Sequence, residues 1–178
     1  AGPMYTQSKW ENYWEGTLKR NNENLGTISN QSIMFMANYG ITNNLNVAAI
    51  LSDNPDCEVI VAGGIVRSRD RGIVGEVTVD FVKQFRVDIG LIGISGIEAD
   101  GTLRDYDYRE VKVARAIIEH SREVWVAADH SKFNRPAMVE LARFDQVDML
   151  FTDAAPPAPF PALLAQAGVN CVNCTEDA

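Results

Sequence analysis

Short apolar runs that alternate with helix-like stretches constrain the fold of this chain more than any other feature. Each run is rich in Val, Ile or Leu and too short to form a buried helix, which is typical of buried strands. Strands are predicted over 58–62, 88–94, 123–128 and 147–152. Strands and helices that alternate in this way predict an α/β domain with a largely parallel sheet, flanking helices and right-handed crossovers.

Helices are predicted over 77–85, 108–120, 136–144 and 161–167. Apolar side chains recur at helical spacing in the second stretch, and Asp105 and Asp107 precede it where an N-cap is expected. Pro136 suits the first turn of the third helix, and Gly168 follows the last one. A final strand is predicted over 169–172.

The beginning of the chain follows a different pattern. We predict an unassigned N-terminal segment over 1–40 and an α/β domain over 41–178. Residues 1–3, Ala-Gly-Pro before a methionine, are typical of a tag scar left by cleavage and are excluded from the fold prediction.

Two elements are predicted within the N-terminal segment. Trp10, Tyr13, Trp14 and Leu18 are spaced to form one side of a short helix. A strand is predicted over 32–39, where a short apolar run ends before Gly40.

The charge of the chain restricts its partners. It carries 16 Lys and Arg against 24 Asp and Glu, a formal charge of −8. Nucleic acids and anionic membranes bind clustered cations, so neither is expected as a direct partner of these residues. No apolar run reaches the ~18 residues of a membrane span, and no secretory signal is recognisable.

The cysteines argue against a disulfide framework and a metal centre. Cys57, Cys171 and Cys174 are few and odd in number, which suits a reducing cytoplasm. Cys171 and Cys174 have metal-ligand spacing, but a tetrahedral site needs two more ligands, and His120 and His130 lie far away in sequence. We therefore predict a cytoplasmic protein with no metal and no cofactor.

Small and polar residues follow the predicted strands at their carboxyl ends, where the strands of a parallel sheet share one edge and ligands bind. These segments are 42–44, 63–64, 95–96, 129–132 and 152–153. Turn chemistry explains any one of them, because such turns need Gly, Asn, Asp and Ser. Together, and with a lysine among them, they favour a binding site for a polar ligand.

The residue types narrow the chemistry of that ligand. Gly63 and Gly64 lack side chains, which lets backbone N–H groups approach an anion, although the same pair would also serve a tight turn. Lys132 can place an ammonium against a phosphate or carboxylate, or it can be a solvated surface residue. Glu110 and Lys112 lie two apart on a helix, so at most one of them points into a common pocket.

An enzyme is the alternative to a binding domain. Lys132, Glu110, Asp129 and His130 include the acids and bases that sugar-phosphate isomerisation requires. However, no nucleophile elbow, paired-carboxylate motif or metal-ligand series is present, and the adjacent Asp129 and His130 point apart on an extended segment. We therefore predict no catalytic residues and keep a sugar-phosphate isomerase or deaminase-like enzyme as the alternative.

Five long stretches carry a family resemblance: ITNNLNVAAIL at 41–51, VAGGIVRSRDRGIVGEVTVDFVKQFRVDIGLIGISGIEADGTL at 61–103, DYREVKVARAIIEHSR at 107–122, AADHSKFNRPAMV at 127–139 and VDMLFTDAAPP at 147–157. They resemble the C-terminal effector-sensing domain of DeoR-family bacterial transcriptional repressors. The resemblance implies a fold related to ribose-5-phosphate isomerase and glucosamine-6-phosphate deaminase. It also implies a phosphorylated sugar or polyol, such as glycerol 3-phosphate, that releases the repressor from its operator.

The resemblance also implies candidate ligand-binding residues. Lys132 and nearby backbone amides would bind the phosphate, whereas Glu110 and Asp129 would bind hydroxyl groups. The full candidate set is Thr42, Asn43, Gly63, Gly64, Ser95, Gly96, Asp100, Gly101, Glu110, Asp129, Ser131 and Lys132.

The sequence departs from the family pattern in two places. No helix-turn-helix is recognisable within 1–40, so operator DNA is expected to be contacted only through a domain outside these residues. The threonine-bearing loop that follows the first strand in the family is altered over 36–42. Repressors of this kind read two or more operator half-sites, so a homo-oligomer is expected.

Overall fold

A computed structural model describes residues 12–15, 18–21, 33–36, 58–68 and 71–175. The chain divides into two compact units, Ala1–Ser32 and Ile33–Ala178. The boundary predicted between residues 40 and 41 lies outside the described residues and stays a prediction.

The first unit contains β1 (Asn12–Glu15) and β2 (Leu18–Asn21), which pair antiparallel. The short helix predicted from Trp10 to Leu18 is therefore wrong. Glu15 pairs with Leu18, and the two residues between them in the sequence begin with Gly16, which is typical of a tight hairpin. The aromatic spacing suggested a helical face, but the turn signal between the strands outweighs it.

Where the structure describes the second unit, it contains the other helices and strands. In chain order these are β3 (Ile33–Met36), β4 (Ile65–Val66), β5 (Ile73–Val74), α1 (Glu76–Val82), β6 (Val87–Gly93), β7 (Gly96–Ile97), β8 (Thr102–Asp105), α2 (Tyr108–Glu119), β9 (Ser121–Ala127), β10 (Val139–Arg143), β11 (Met149–Thr152), α3 (Phe160–Ala167) and β12 (Asn170–Asn173). Two 3-10 turns lie at His130–Lys132 and Phe144–Gln146.

A five-stranded parallel sheet forms the centre of the second unit, with neighbouring strands in the order β12, β11, β9, β6 and β3. This arrangement confirms the predicted α/β class and the largely parallel sheet. The strands predicted over 32–39, 88–94, 123–128, 147–152 and 169–172 correspond to β3, β6, β9, β11 and β12. Buried strands of a parallel sheet read as nearly continuous apolar runs, which is why the sequence located them well.

The three α-helices found among the described residues match the predictions over 77–85, 108–120 and 161–167. Asp107 caps α2, because its carboxylate accepts a hydrogen bond from the Arg109 backbone N–H at 2.8 Å. Gly90 on β6 allows Ile117 of α2 and Ser121 of β9 to pack closely against the strand, since a Cβ at this position would overlap the Ile117 side chain and the Ser121 hydroxyl. Within the described ranges no helix combines the length and apolar character needed to cross a membrane.

The hydrophobic core lies between the sheet and these helices. Leu150 and Val126 from neighbouring strands are almost inaccessible to solvent. The rings of Phe133 and Phe160 pack with their centroids 4.9 Å apart, which joins the segment after β9 to α3. This packing holds the carboxyl ends of the central strands in fixed positions.

The helix predicted over 136–144 is wrong, because Val139–Arg143 within this range form β10 instead. β10 pairs antiparallel with β8, which in turn pairs with β7 in a separate three-stranded sheet. The register shifts between Glu140 and Ala142, so Leu141 and Ala142 are both buried. A bulge of this kind breaks the two-residue alternation of a strand and gives the apolar spacing of a helix.

The strand predicted over 58–62 is also wrong: none of these residues belongs to a strand. Ile60 and Val61 are 60% and 52% exposed. Their apolar, β-branched composition gave the strand signal, but composition does not supply a neighbouring strand with which to pair. The short antiparallel hairpin of β4 and β5 follows them.

Candidate functional site

The carboxyl ends of three central strands meet at one edge of the sheet. Gly93, the last residue of β6, pairs with Ala127 at the end of β9, and Ala127 pairs with Phe151 of β11. The segments that follow these strands therefore leave the sheet side by side. This edge is where open parallel sheets bind ligands.

Ser95 and Gly96 follow β6 and lie where the sequence places them. The Ser95 hydroxyl donates a hydrogen bond to Asp105, 3.1 Å away, and both residues are buried. A Cβ at Gly96 would overlap the carbonyl oxygen of Arg135. Gly96 thus permits the segment after β6 to lie against the segment after β9, where Ile97 also forms a bridge with Phe133.

Asp129, Ser131 and Lys132 follow β9. The Asp129 carboxylate accepts a hydrogen bond from the Ser131 backbone N–H at 2.9 Å and lies 3.1 Å from the Lys132 ammonium. Lys132 is only 5% exposed. Burial raises the pKa of Asp129, but the hydrogen bonds from Ser131 and Lys132 outweigh it and lower the pKa to about 2.

Asp153 follows β11 and reaches across to the segment after β9. One of its carboxylate oxygens accepts the His130 backbone N–H at 2.6 Å, and the other lies 2.7 Å from the His130 ring Nδ1. The hydrogen bond with His130 lowers the pKa of Asp153 and raises the pKa of His130. Asp153 thereby anchors the turn that carries Ser131 and Lys132.

Thr152, which precedes Asp153, is 3% exposed. Its hydroxyl has no hydrogen-bond partner among the described residues. Its backbone carbonyl accepts from the Cys174 N–H at 2.8 Å, so β12 is held to the end of β11.

Asp100 and Gly101 lie in the turn between β7 and β8. The Asp100 carboxylate accepts the Thr102 backbone N–H at 2.9 Å, and this hydrogen bond lowers the pKa of Asp100. Gly101 has a φ of 83° and lies against the Phe144 ring. These contacts are those of a tight turn, and within the described residues neither the hydrogen bonds nor the ion pairs of Asp100 reach Lys132.

Gly63 and Gly64 precede β4 and pack on the first turn of α1. The Thr78 hydroxyl donates to the Gly63 carbonyl at 2.8 Å. Gly64 has a φ of 148°, and a Cβ there would overlap the Thr78 hydroxyl. This close approach to α1 accounts for the glycine at position 64, and both glycines are exposed to solvent.

Glu110 lies in the first turn of α2 and is 1% exposed. Its carboxylate forms an ion pair with Arg67, which also donates to Asp107 at 2.7 Å. Lys112 lies instead on the surface and contacts Glu76 at 2.6 Å. The expectation that Glu110 and Lys112 face different ways is therefore confirmed.

Thr42 and Asn43 lie outside the described residues. The structure brings Ser95, Gly96, Asp129, Ser131 and Lys132 to one edge of the sheet. The other described candidates have local partners: the glycine pair packs on α1, Asp100 and Gly101 form a turn, and Glu110 pairs with Arg67.

Three residues at or beside this edge, Asp105, His130 and Asp153, are absent from the candidate set, and so is Arg67, the partner of Glu110. Asp153 and His130 lie in the polar segments that follow the strands, so that pattern contains the signal for both. Asp105 has only the weaker signal of a possible N-cap. Arg67 has no signal in the sequence, because its partners lie 40 residues and more along the chain.

The arrangement provides a buried ammonium, carboxylates and a buried hydroxyl at one sheet edge. An ammonium favours a phosphate or carboxylate, while ionised carboxylates accept hydrogen bonds from hydroxyl groups. Among the described residues, no group of three or more His, Cys, Asp or Glu side chains is placed to hold a metal ion.

Comparison with known proteins identifies a family and several relatives. Residues 37–154 match the model of the DeoR C-terminal sensor domain. The glycerol-3-phosphate regulon repressor of Escherichia coli K12 is 50% identical over 134 residues, which cover 75% of this chain and 53% of that protein. The protein of the same name from Haemophilus influenzae is 53% identical over 116 residues, covering 65% of this chain and 45% of that protein.

A more distant relative is the HTH-type transcriptional repressor GlcR of Bacillus subtilis. It is 31% identical over 137 residues, covering 77% of this chain and 53% of that protein. This chain spans about half the length of the curated relatives it matches. The family model covers most of the chain, from the residue after β3 to just beyond the end of β11, and it includes Ser95, Asp129 and Lys132. The chain therefore belongs to the family of DeoR C-terminal sensor domains.

Proposed function

We propose that this chain is the effector-sensing part of a bacterial transcriptional repressor and binds glycerol 3-phosphate, or a related phosphorylated polyol or sugar, as its inducer. Two relatives with at least half their aligned residues identical are named glycerol-3-phosphate regulon repressors. The formal charge of −8 fits a part that does not itself contact DNA. Operator DNA is contacted through a domain outside these residues.

The observation that carries the proposal is the position of Lys132. A lysine that is 5% exposed bears the cost of desolvating its ammonium, which one carboxylate contact at 3.1 Å only partly offsets. A dianionic phosphate at the sheet edge would supply the additional negative charge. Lys132 and the backbone N–H groups of its turn are therefore the proposed phosphate ligands.

The remaining polar groups at the edge suit the other end of the ligand. Asp129 remains ionised well below neutral pH and accepts hydrogen bonds from ligand hydroxyls. Ser131 adds an exposed hydroxyl beside it. Glu110 was assigned to the same role, but its ion pair with Arg67 favours an indirect one, in which it fixes the start of α2.

Induction follows from differential affinity. A ligand changes the conformation of the repressor only to the extent that it binds one state more tightly than the other. Lys132 lies on a turn that Asp153 anchors, and the next residue, Phe133, forms a bridge with Ile97 after β6. A phosphate that draws the ammonium outward therefore changes the contacts of three strand ends. We further propose that the sensing domain forms a homo-oligomer, which gives two DNA-binding parts the spacing of two half-sites.

A sugar-phosphate isomerase or deaminase is the competing function, because the family resemblance implies a fold related to those enzymes. A general base near neutral pH works best with a pKa close to the operating pH, whereas the pKa of Asp129 is about 2. The relatives are named as repressors. The names of the relatives favour a binding domain over an enzyme, and the low pKa of Asp129 argues against an enzyme that uses Asp129 as its general base.

Isothermal titration calorimetry on the full chain tests the proposal. Glycerol 3-phosphate should bind, whereas glycerol should not, and inorganic phosphate should bind more weakly. Lys132→Met keeps the length and apolar stem of the side chain and should weaken binding at least about 100-fold, because a charge-assisted contact in a partly desolvated site is lost. Lys112→Met removes a surface ammonium of α2 and should leave the affinity unchanged.

Two results would contradict the proposal. If no phosphorylated polyol or sugar binds the parent chain, the sensor function fails. If glucosamine 6-phosphate or ribose 5-phosphate is turned over by the chain and Lys132→Met abolishes that turnover, the chain is an enzyme.

A further inference from the structure

The His130–Asp153 pair is an arrangement at the sheet edge that the proposed phosphate contacts do not use. His130 is the first residue of the turn that carries Ser131 and Lys132. Asp153 binds both its backbone N–H and its ring Nδ1, so the imidazole has a fixed position relative to the end of β11. The side chain is nevertheless 68% exposed.

The exposed part of His130 is chemically specific. Because Nδ1 contacts Asp153, the other ring nitrogen, Nε2, is the one available to a ligand. A carboxylate on one side of an imidazole also stabilises its protonated form, in which Nε2–H is a charged donor. The ring lies on the same turn as Lys132, which is already paired with Asp129.

We propose that His130, oriented by Asp153, is a second cationic ligand of the phosphate and makes effector affinity depend on pH. The inference rests on the proposed function. A phosphate dianion carries two negative charges, and Lys132 has part of its charge balanced by Asp129. The His130 imidazolium supplies the second positive charge, and Asp153 is a positioning residue that acts through it.

The charged and titratable groups around His130 define the expected pH range. They are Asp129 and Lys132 on its own segment, Asp153 after β11, and Cys174 after β12, which lies near Asp153. The pKa of Asp129 is about 2, and burial raises the pKa of Cys174 above its usual value. Among them, His130 has a usual pKa of 6.5, close to neutral, and its contact with Asp153 raises that pKa.

The direction of the effect follows from the charge. The hydrogen bond with Asp153 raises the pKa of His130 above its usual value of 6.5. His130 is protonated below that pKa and neutral above it, so affinity should fall as the pH rises through it. The second pKa of a phosphate monoester is about 6, so the ligand keeps its charge from pH 7 to 9.

Calorimetric titrations of the full chain with glycerol 3-phosphate at pH 7, 8 and 9 test the inference. The affinity of the parent should fall about five- to tenfold over this range, the effect of about one pKa unit of coupling. His130→Asn should bind more weakly at pH 7 and show no fall. Without the Asp153 carboxylate the pKa of His130 is no longer raised, so the affinity of Asp153→Asn should undergo most of its fall below pH 7. His120→Asn, at the end of α2, should behave like the parent.

A spectroscopic measurement separates a ligand contact from a structural role. In an NMR titration of the imidazole signals, glycerol 3-phosphate should raise the pKa of His130 and leave that of His120 unchanged. If the parent binds glycerol 3-phosphate and His130→Asn keeps the same pH profile, the His130 inference is overturned and the proposed function stands. If the parent binds no phosphorylated probe at any pH, both are overturned.

Discussion

The Ser95 hydroxyl and the Asp105 carboxylate lie 3.1 Å apart in the interior, joining the end of β6 to the end of β8. The other oxygen of Asp105 accepts the backbone N–H groups of Tyr106 and Asp107. One carboxylate thus connects the central sheet, the small antiparallel sheet and the start of α2. It fixes the loop on which the candidate site depends.

Replacement of Asp105 should therefore destabilise the protein. Asp105→Ala leaves three buried or half-buried donors without this acceptor, and we expect a loss of about 2–4 kcal/mol in the free energy of unfolding. Urea denaturation measures the change. Asp80→Ala, on the exposed face of α1, serves as the control and should change stability by less than about 0.5 kcal/mol. Equal effects of both variants would contradict the assigned role of Asp105.

Gly96 allows a second close contact at the same loop. Gly96→Ala would place a methyl group on the Arg135 carbonyl, which is backbone and cannot rotate away. We expect a loss of about 1–3 kcal/mol and weaker effector binding, because the segments after β6 and β9 must separate. Gly63→Ala is the matched control, since its Cβ would lie an ordinary 3.7 Å from Val77. A thermal shift as small for Gly96→Ala as for Gly63→Ala would rule out this constraint.

The central sheet was predictable because its information is local. Each parallel strand is an apolar run that needs no knowledge of its neighbour, and Asp107 and Gly168 mark the ends of helices within a few residues. β10 could not be recognised in this way. Its bulge exists only in the pairing with β8, and without that pairing the buried Leu141 and Ala142 resemble one face of a helix.

The site was predictable to the same extent. Asp129 and Lys132 follow a legible strand, so their place at the sheet edge follows from topology alone. The Arg67–Glu110 ion pair could not be predicted in this way. Its partners are 43 positions apart and belong to a hairpin and a helix that approach only in the folded chain. The ends of strands can be inferred from the spacing of apolar residues and from composition, but side-chain pairs between elements distant in the sequence cannot.

The Arg67–Glu110 pair should contribute strongly to stability. Their side chains are 9% and 2% exposed, so removing one partner leaves the other charge buried without it. We expect Arg67→Met to cost about 3–5 kcal/mol, and the Arg67→Met, Glu110→Leu double variant to cost less than Arg67→Met alone. Urea denaturation of the full mutant cycle measures the coupling between the two residues.

A surface ion pair provides the control for that cycle. Arg122 pairs with Asp88 while 62% of its side chain is exposed, so Arg122→Met should cost no more than about 1 kcal/mol. If Arg67→Met is as mild as Arg122→Met, the buried pair does not hold the β4–β5 hairpin to α2.

Asp107 should make stability depend on acid pH. The hydrogen bond from the Arg109 side chain, with further ones from its backbone N–H and from Arg67, lowers the pKa of Asp107 to about 2, against partial burial. Because the pKa is lower in the folded state than its usual 3.8, this stabilisation is complete above about pH 4 and is lost as the pH falls towards 2. The effect should amount to about 2 kcal/mol.

Asp107→Asn isolates the charge, because asparagine is an equally good N-cap and keeps the hydrogen bond to the start of α2. The variant should be less stable than the parent by about 1–2 kcal/mol at pH 7, and the difference should shrink to a small fraction of that at pH 2, where about half of the parent carboxyl is protonated. Urea denaturation at pH 7, 4 and 2 measures the difference. A difference that persists unchanged at pH 2 would mean that hydrogen-bond geometry, and not the charge of Asp107, stabilises this end of α2.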